Sequence, residues 1–443
     1  MDSHQPSRYN IFVPFEGQTL LFNGLSGAML KLSNDLAHLL KNCDLATFQN
    51  ESPELFQALI KSRCLTPPGF DELDPIRKRN QRAVYENRQY HLTINPTMNC
   101  NFKCWYCYEG HVKSRMEQNT QDSLYRHVQL MIDEKKITAL QLGWFGGEPL
   151  MTFSHAVYPL ARRLKALCEE KGLPFHHSIT TNGYLITPKH VSLFEEIGLK
   201  SFQITLDGDE TGHNKIRFLK ESGRPTFSRV VSNINLLIKE LPDVQINLRI
   251  NFQDETLTDI DSIITAFPRE NRSSINLDFQ RVWQTCGTTA QPNNRLQQAI
   301  DRFNEAGFSA HAAANEFVLH RANKCYADRW LQAVVNYDGN IFKCTARDFS
   351  PANSEGVLQA SGEISWKGNL KKRFARAPWE RERCIDCGLL PLCMGPCTQK
   401  MIEMGEANRN NYCWMDNLEL TVEDYVIDRY TKLRNDTFQG APV

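Results

Sequence analysis

The sequence predicts an α/β chain built on parallel strands, with a small α+β unit before it and a cysteine-rich region after it. Three observations predict this. Strand-like and helix-like segments alternate from about residue 90 to 310. Polar motifs fall at the carboxyl ends of those strands, where parallel sheets place their ligands. Ten of the 14 cysteines form two groups, one at 100–107 and one at 325–413.

Residues 1–89 make the small α+β unit. "YNIFVPF" and "QTLLFNG" alternate in short runs and read as an antiparallel hairpin. "GAMLKLSNDLAHLLKN" and "SPELFQALIKSR" have helical spacing, and "TPPGFDELDPIRKRN" reads as a turn-rich, charged connection. Six strands are then expected at 90–96, 139–145, 175–181, 201–207, 244–252 and 275–282, with helices at 120–135, 155–171, 188–197 and 228–240 between them. From about 310 this rhythm stops and cysteine density rises. Residues 311–417 read as a compact metal-stabilised domain, and 418–443 as a closing helix and tail.

Composition excludes several classes. Lys plus Arg number 51, equal to Asp plus Glu, so bulk charge gives no support for a nucleic-acid partner. The N-terminus "MDSHQPSRYN" lacks a basic stretch leading into an apolar one, and no apolar run is long enough to span a membrane. A soluble, cytoplasmic protein is the expectation, with no membrane partner. Cys43, Cys64, Cys168 and Cys286 are scattered, and Cys168 reads as a small buried hydrophobe on a helix.

"NPTMNCNFKCWYCYEG" sets Cys100, Cys104 and Cys107 three and then two residues apart. A closed metal site takes four protein ligands. Three thiolates on a cubane cluster leave one iron free for a small molecule. The spacing alone leaves open a zinc site with its fourth ligand elsewhere, His111 being one candidate. Further along stand "GGEP" (146–149), "TTNG" (180–183), "LDG" (206–208) and "RIN" (249–251), each closing or following a strand.

CxxxCxxC, GGEP, TTNG and LDG, in that order, resemble the radical S-adenosylmethionine superfamily over residues 90–310. The resemblance implies a partial (β/α)6 barrel. Cys100, Cys104 and Cys107 would hold a [4Fe-4S] cluster whose open iron takes the amino and carboxylate groups of S-adenosylmethionine. It places Gly146, Gly147 and Glu148 at the methionine ammonium; the alternative is a glycine turn between strand and helix. Thr180, Thr181, Asn182 and Gly183 fall near the cofactor or simply form a turn. Thr205 and Asp207 face the same cavity, unless Asp207 caps the next segment. Arg249 and Asn251 are candidates for carboxylate and ribose, although Arg249 can instead point outward. Tyr106 would pack on adenine or shield the cluster, with Trp105 and Tyr108 as weaker candidates.

The second group, Cx9–15Gx4C through Gly339 and then "CIDCGLLPLCMGPC", resembles the SPASM twin-cluster domain. That resemblance assigns Cys325, Cys344 and Cys397 to one auxiliary cluster, and Cys384, Cys387, Cys393 and Cys413 to the other. Three [4Fe-4S] clusters are then expected, the first auxiliary one short of a cysteine at its fourth position. Cys286 is a rival ligand. Zinc knuckles suit CxxC equally well.

Relatives with this domain mostly modify peptides. Residues 1–89 loosely resemble the peptide-binding elements of such maturases, or else form a cap. The expected activity is hydrogen abstraction from a ribosomally made precursor peptide, giving a thioether or carbon–carbon crosslink, with a flavodoxin or ferredoxin as reductant. The sulfatase-maturating type, which oxidises a side chain to formylglycine, is the alternative. Those relatives place a general-base aspartate directly after the cysteine that corresponds to Cys344; here that residue is Thr345, and Asp348 stands three further on. A different class is a non-catalytic electron-transfer or metal-stabilised binding protein.

Overall fold

The computed structural model describes residues 4–253, 257, 261–282, 294–311, 325–405, 408–417 and 421–439. In the N-terminal unit, β1 (Gln5–Pro6) pairs with β5 (Leu65–Thr66). β2 (Asn10–Phe15), β3 (Gln18–Asn23) and β4 (Met29–Leu32) form an antiparallel sheet in that order. Helices α1 (Asn34–Lys41), α2 (Leu45–Glu51) and α3 (Pro53–Lys61) cover one face through Leu40, Phe48, Phe56 and Leu59.

Two expectations are corrected here. Met29–Leu32 is a third strand and not the start of a helix: it pairs with Thr19–Phe22, and the helix begins only after Ser33, whose hydroxyl accepts the Leu36 N–H. The expected connection contains helix α4 (Asp74–Gln81). Pro75 lies in its first turn, where no backbone donor is lost. Buried Ile76 anchors this helix against Trp379, Leu390 and Met394.

The main sheet has 11 strands and is mixed. β6 (Gln89–Asn95), β7 (Ala139–Trp144), β8 (Phe175–Thr181), β9 (Ser201–Leu206), β10 (Gln245–Phe252) and β11 (Ile275–Arg281) are parallel and agree with the six expected strands within a residue. A short β12 (Ser309–His311) continues the parallel run beyond them. Helices α5 (Gln118–Asp133), α6 (Tyr158–Glu170), α7 (Pro188–Ile197), α8 (Glu210–Ile216), α9 (Phe227–Glu240), α10 (Asp261–Ala266), α11 (Arg269–Arg272) and α12 (Asn294–Glu305) intervene. Alternation decides which face of the sheet they cover. Leu92, Leu142, Ile179, Ile204 and Leu248 point into one apolar core with Leu124, Leu164, Phe194 and Ile234 of the helices.

The cysteine-rich region continues this sheet. β13 (Gln332–Asn336) lies parallel to β6, and β14 (Asn340–Phe342), β15 (Gly356–Leu358) and β16 (Ile364–Trp366) follow antiparallel. Helix α5 is bound to the β15–β16 turn. Nδ1 of His127 meets the Gly362 carbonyl at 2.7 Å, and Arg126 donates to the Ala360 carbonyl at 2.8 Å. Short helices at Asn369–Ala375, Glu382–Ile385, Leu390–Cys393 and Thr398–Met404 come next, then a long one at Val422–Gln439 where a closing helix was expected. That last helix packs on the N-terminal sheet through Val426, beside Val13, Leu20, Phe22 and Leu392. No helix among the described residues is long and apolar enough to cross a membrane.

Candidate active site

The loop after β6 carries the first cysteine group. It is pinned from two sides. Lys103 and Lys220 bond to the backbone of Phe218 and Asn101, and Gly147 packs so closely that a Cβ there would lie 2.4 Å from the Asn99 carbonyl oxygen. Gly147 also has φ +46°, so only glycine fits that approach. Cys100 is buried, and Cys104 and Cys107 are half-buried. Burial pushes the Cys100 thiol up to about 12 and that of Cys107 to about 11, and raises Cys104 as well. As thiolates, all three need nearby positive charge.

Arg217 supplies it. It is 8% exposed, and its charge pulls against the raised pKa of each of the three thiols. Burial opposes the Arg217 charge, but Tyr106, Cys104 and Asp207 outweigh it. Arg217 donates to the Tyr106 hydroxyl at 2.7 Å and lies 3.8 Å from Asp207 Oδ2. Tyr106 in turn donates to Asp207 and accepts from Asn251 at 3.0 Å, and Arg249 Nε donates to Asn251 at 2.8 Å. One hub therefore joins the cysteine loop to the ends of β9 and β10. It gathers Tyr106, Asp207, Arg249 and Asn251, all expected from the sequence, while Thr205 pairs in register with Arg249 on the same face.

Arg217 was missed. Its available signal was His213, four residues before it on helix α8, which Asp209 caps. His213 is a strut: its Nδ1 accepts the Asp207 N–H, and its Nε2 meets Thr226 at 3.0 Å. Burial holds it neutral.

A second clamp joins GGEP to TTNG. The buried Glu148 carboxylate accepts from the Thr181 hydroxyl at 2.8 Å, the Asn182 N–H at 2.7 Å and the Leu150 N–H at 2.9 Å. The Glu148 side chain is thus spent on neighbouring loops. Asn182 reaches back to Asn101 at 2.8 Å, beside Cys100. Glu109, also missed, accepts the Gly147 N–H at 2.6 Å, and burial lifts its carboxyl to about 7. His111 Nε2 lies 3.3 Å from Cys107 Sγ, so the histidine named as a possible zinc ligand does adjoin the group. Trp105 is exposed.

The seven later thiols sort into two sets. Cys344 and Cys397 both raise the Cys325 thiol, on top of burial, which brings it to about 12; these three lie within electrostatic reach of one another. Cys384, Cys387, Cys393 and Cys413 line a single cavity of about 210 Å³. Cys286 lies outside the described residues. Among the described residues no three His, Cys, Asp or Glu side chains converge on a single-ion position. The donor sets nevertheless fit sulfur-bridged clusters, since groups of three or four soft thiols, buried or half-buried, are what such clusters use.

The first set faces the first loop. Tyr108 donates to the Thr345 carbonyl at 2.9 Å, and the Thr345 hydroxyl and N–H both meet the Tyr326 hydroxyl. Asp348 turns away, accepting from Ser350 and Asn353.

Comparison with known proteins agrees with this geometry. Residues 94–267 match the model of the Radical SAM superfamily. The chain is 28% identical over 349 residues to a serine-type anaerobic sulfatase-maturating enzyme of Klebsiella aerogenes, covering 73% of this chain and 82% of that one. It is 24% identical over 471 residues to the radical SAM cyclopropyl synthase TigE of Paramaledivibacter caminithermalis, covering 95% and 93%. The structure of native anSMEcpe with bound AdoMet and Cp18Cys peptide shares its fold at TM-score 0.53 and 19% identity, over 79% of this chain and 97% of that one. Motif order and loop geometry agree with that match: residues 94–267 of this chain are similar to the Radical SAM superfamily.

Proposed function

We propose that this chain is a radical enzyme that oxidises a peptide. Cys100, Cys104 and Cys107 would hold a [4Fe-4S] cluster with S-adenosylmethionine at its open iron, in a partial barrel. Cys325, Cys344 and Cys397, and the set of Cys384, Cys387, Cys393 and Cys413, would hold two more in a SPASM-type domain. The bound pair supplies reductive cleavage of a sulfonium, and with it a carbon radical able to take an unactivated hydrogen.

The chain's own residues then have three tasks. Arg217, Arg249 and Asn251 present donors for the carboxylate and ribose of the cofactor, and Gly146 and Gly147 expose backbone for its ammonium. The Glu148 clamp fixes these loops against each other, so the site is held ready before the ligand arrives. Tyr108, Thr345 and Tyr326 close the space between the first cysteine loop and the C-terminal set, where the reacting residue would sit. The observation that carries this reading is the Tyr108–Thr345 hydrogen bond of 2.9 Å, which sets the two cysteine loops face to face. Residues 1–89 would serve as the peptide-recognition unit, β2 and β4 being the edge strands of a three-stranded sheet to which a further strand could add.

The sulfatase-maturating relatives favour conversion of a side-chain CH2–OH or CH2–SH to an aldehyde. A crosslink has its own support. The residue after Cys344 is Thr345, engaged with Tyr326, and Asp348 is engaged in its own loop, so no carboxylate occupies the base position. A carbon radical that closes on a neighbouring group passes one electron to an oxidant, for which the auxiliary clusters would serve, and releases the proton of that group, so its proton acceptor would stand beside the second partner and not directly after Cys344.

The test is anaerobic turnover of the reconstituted enzyme with reductant, S-adenosylmethionine and either a serine-containing sulfatase peptide or a precursor peptide encoded beside the gene. Both outcomes remove two hydrogens, so the product is treated with a hydrazide. Capture marks the aldehyde, and an uncaptured product of the same mass marks a ring. Reductive cofactor cleavage with neither peptide altered would reject both readings.

A further inference from the structure

The face of the parallel sheet away from the helices has a composition that the radical chemistry does not explain. In closed (β/α)8 barrels the inward positions are filled by bulky branched side chains. Here most are polar or small, Val334 of β13 being an apolar exception. Registers place Gln332, His91, Gln141 and His176 in one row, since partners in adjacent parallel strands share a face. The next row contains Thr93, Gly143, Ser178, Ser201 and Gln245. A third carries Gln203, Asn247 and Asn276, whose carboxamides meet in a ladder at 3.4–3.5 Å. The first two rows line a cavity of about 860 Å³ at the amino-terminal ends of the strands, within the range of ligand sites.

Gln332 is the second observation. It is 1% exposed, and neither atom of its carboxamide has a hydrogen-bond partner. An orphaned buried polar group costs about 1–3 kcal/mol. The side chain offers one donor and one acceptor together, the complement of the C=O and N–H of an extended peptide. The charges at the rim are already matched, Lys200 with Asp243 at 3.2 Å. The cavity also shares a wall with the active site. Tyr326 lines it, and the Tyr326 hydroxyl holds Thr345, to which Tyr108 of the cysteine loop is bonded.

We propose that this polar trough binds an extended, uncharged hydrophilic stretch of the peptide substrate, rich in Gly, Ser, Asn or Gln, with Gln332 pairing to its backbone. The proposal rests on the peptide-modifying reading and deepens it by naming the kind of sequence beside the modified residue. Rows of hydroxyls and carboxamides offer hydrogen bonds to such a segment, whereas Leu or Phe side chains would strip those groups of water without replacing it. The trough is thus specific for polarity, and the small Gly143, Ser178 and Ser201 leave the room.

The experiment uses the full, cluster-reconstituted chain and two short fluorescent probe peptides, one of Gly, Ser, Asn and Gln and one with its polar residues replaced by Val and Leu. Fluorescence anisotropy should show binding of the first alone. Gln332→Leu should weaken it roughly tenfold, about 1.4 kcal/mol, and Ser178→Leu, which fills the trough, should weaken it further. Gln332→Asn, with shorter reach and unchanged polarity, should show an intermediate loss and guards against misfolding of the leucine variant. Hydrogen exchange should show the first probe protecting β6, β8 and β13. Equal binding of both probes, no binding of the hydrophilic one at millimolar concentration, or affinities unchanged by these substitutions would overturn the trough. Should the probe bind as described while no peptide is ever modified, the trough stands and the peptide-modifying activity fails. Should a precursor be modified by Gln332→Leu at unchanged KM, the reverse holds.

Discussion

The loop of Cys100–Cys107 and the loop of Cys384–Cys397 both present thiols, but they are held in opposite ways. Around the first, the contacts are polar and directed: Glu148 to Thr181 and Asn182, Asn182 to Asn101, Arg217 to Tyr106. Around the second, one polar contact of this kind, Arg381 to Cys384 Sγ at 3.0 Å, is set in apolar packing that comes from the far end of the chain. Tyr9 and Ile76 of the N-terminal unit pack on Trp379, Leu390 and Met394, and Leu392 inserts beside Val13, Leu20 and Phe22. Polar networks fix donors and acceptors in place for a ligand that comes and goes. Apolar packing fixes a permanent insert. The difference teaches that the first loop is built for exchange and the second for cohesion, joining the N-terminal unit to the rest.

The strongest way to sharpen this contrast is to remove the first thiols. Replacing Cys100, Cys104 and Cys107 together with Ala should remove about four irons per chain, one cubane, and abolish cofactor cleavage, while the later thiols keep their metal. Iron and sulfide analysis of the purified variant reads this directly, and full iron content would reject the assignment.

Breaking the polar side comes next. Glu148→Ala orphans the Thr181 hydroxyl and two backbone donors. Stability should fall by roughly 2–4 kcal/mol, with cofactor cleavage reduced on the order of a hundredfold. Glu148→Gln should recover part of the stability, as a urea titration of the three proteins would show.

The apolar side should fail differently. Ile76→Ala deletes a fully buried side chain at the N-terminal contact and should cost about 2–4 kcal/mol. Its signature is location: faster hydrogen exchange in β2, β3 and α4, with cofactor cleavage in the absence of peptide within about twofold of the parent, by this scheme's logic of separate duties. Equal loosening of the cysteine loop after β6 would erase the contrast.

The smallest effect is pH-dependent and lies at the joint of α5 with the β15–β16 turn. Burial lowers His127 to about 4 from an ordinary 6.5, and the Tyr90 hydroxyl and Gly362 carbonyl bind its neutral form at 2.6 and 2.7 Å. A histidine whose folded pKa is depressed stabilises fully above its unfolded pKa. That contribution is lost as pH falls from about 6.5 to about 4, up to roughly 3 kcal/mol. Half-buried His91 and buried His177 and His213 are depressed in the same direction, so stability at pH 7.5 and pH 5 should differ by more than this, and His127→Asn should reduce the difference by the His127 share.

Much of this was legible in the chain. The six parallel strands declare themselves by alternation, and the first five also by the motifs at their ends, whereas the sorting of the later thiols into two sets came only from the resemblance to the SPASM domain. Met29–Leu32 was not legible as a strand, because "MLKL" fits a helix as well until a partner strand is known. Helix α4 was masked by Pro75, which reads as a breaker unless it is seen to start a helix. Arg217 and Glu109 are silent for another reason. A lone arginine in "NKIRF" and a glutamate after a tyrosine acquire meaning only when folding brings them to Tyr106 and Gly147. Gln332 looks ordinary in "WLQAVVN", and its lack of partners is a property of the packed sheet alone.

β13 joins β6 over five residue pairs, from Gln332↔His91 to Asn336↔Asn95, and that junction has a mechanical consequence. β6, which leads to Cys100, and β14, which leads to Cys344, flank β13 in one continuous sheet, so the gap between the two thiol sets is ruled like marks on a gauge. Such a gauge cannot stretch to suit its cargo. On the proposed reading the peptide would supply the bending, and the number of residues needed to span the fixed gap would measure which peptides fit.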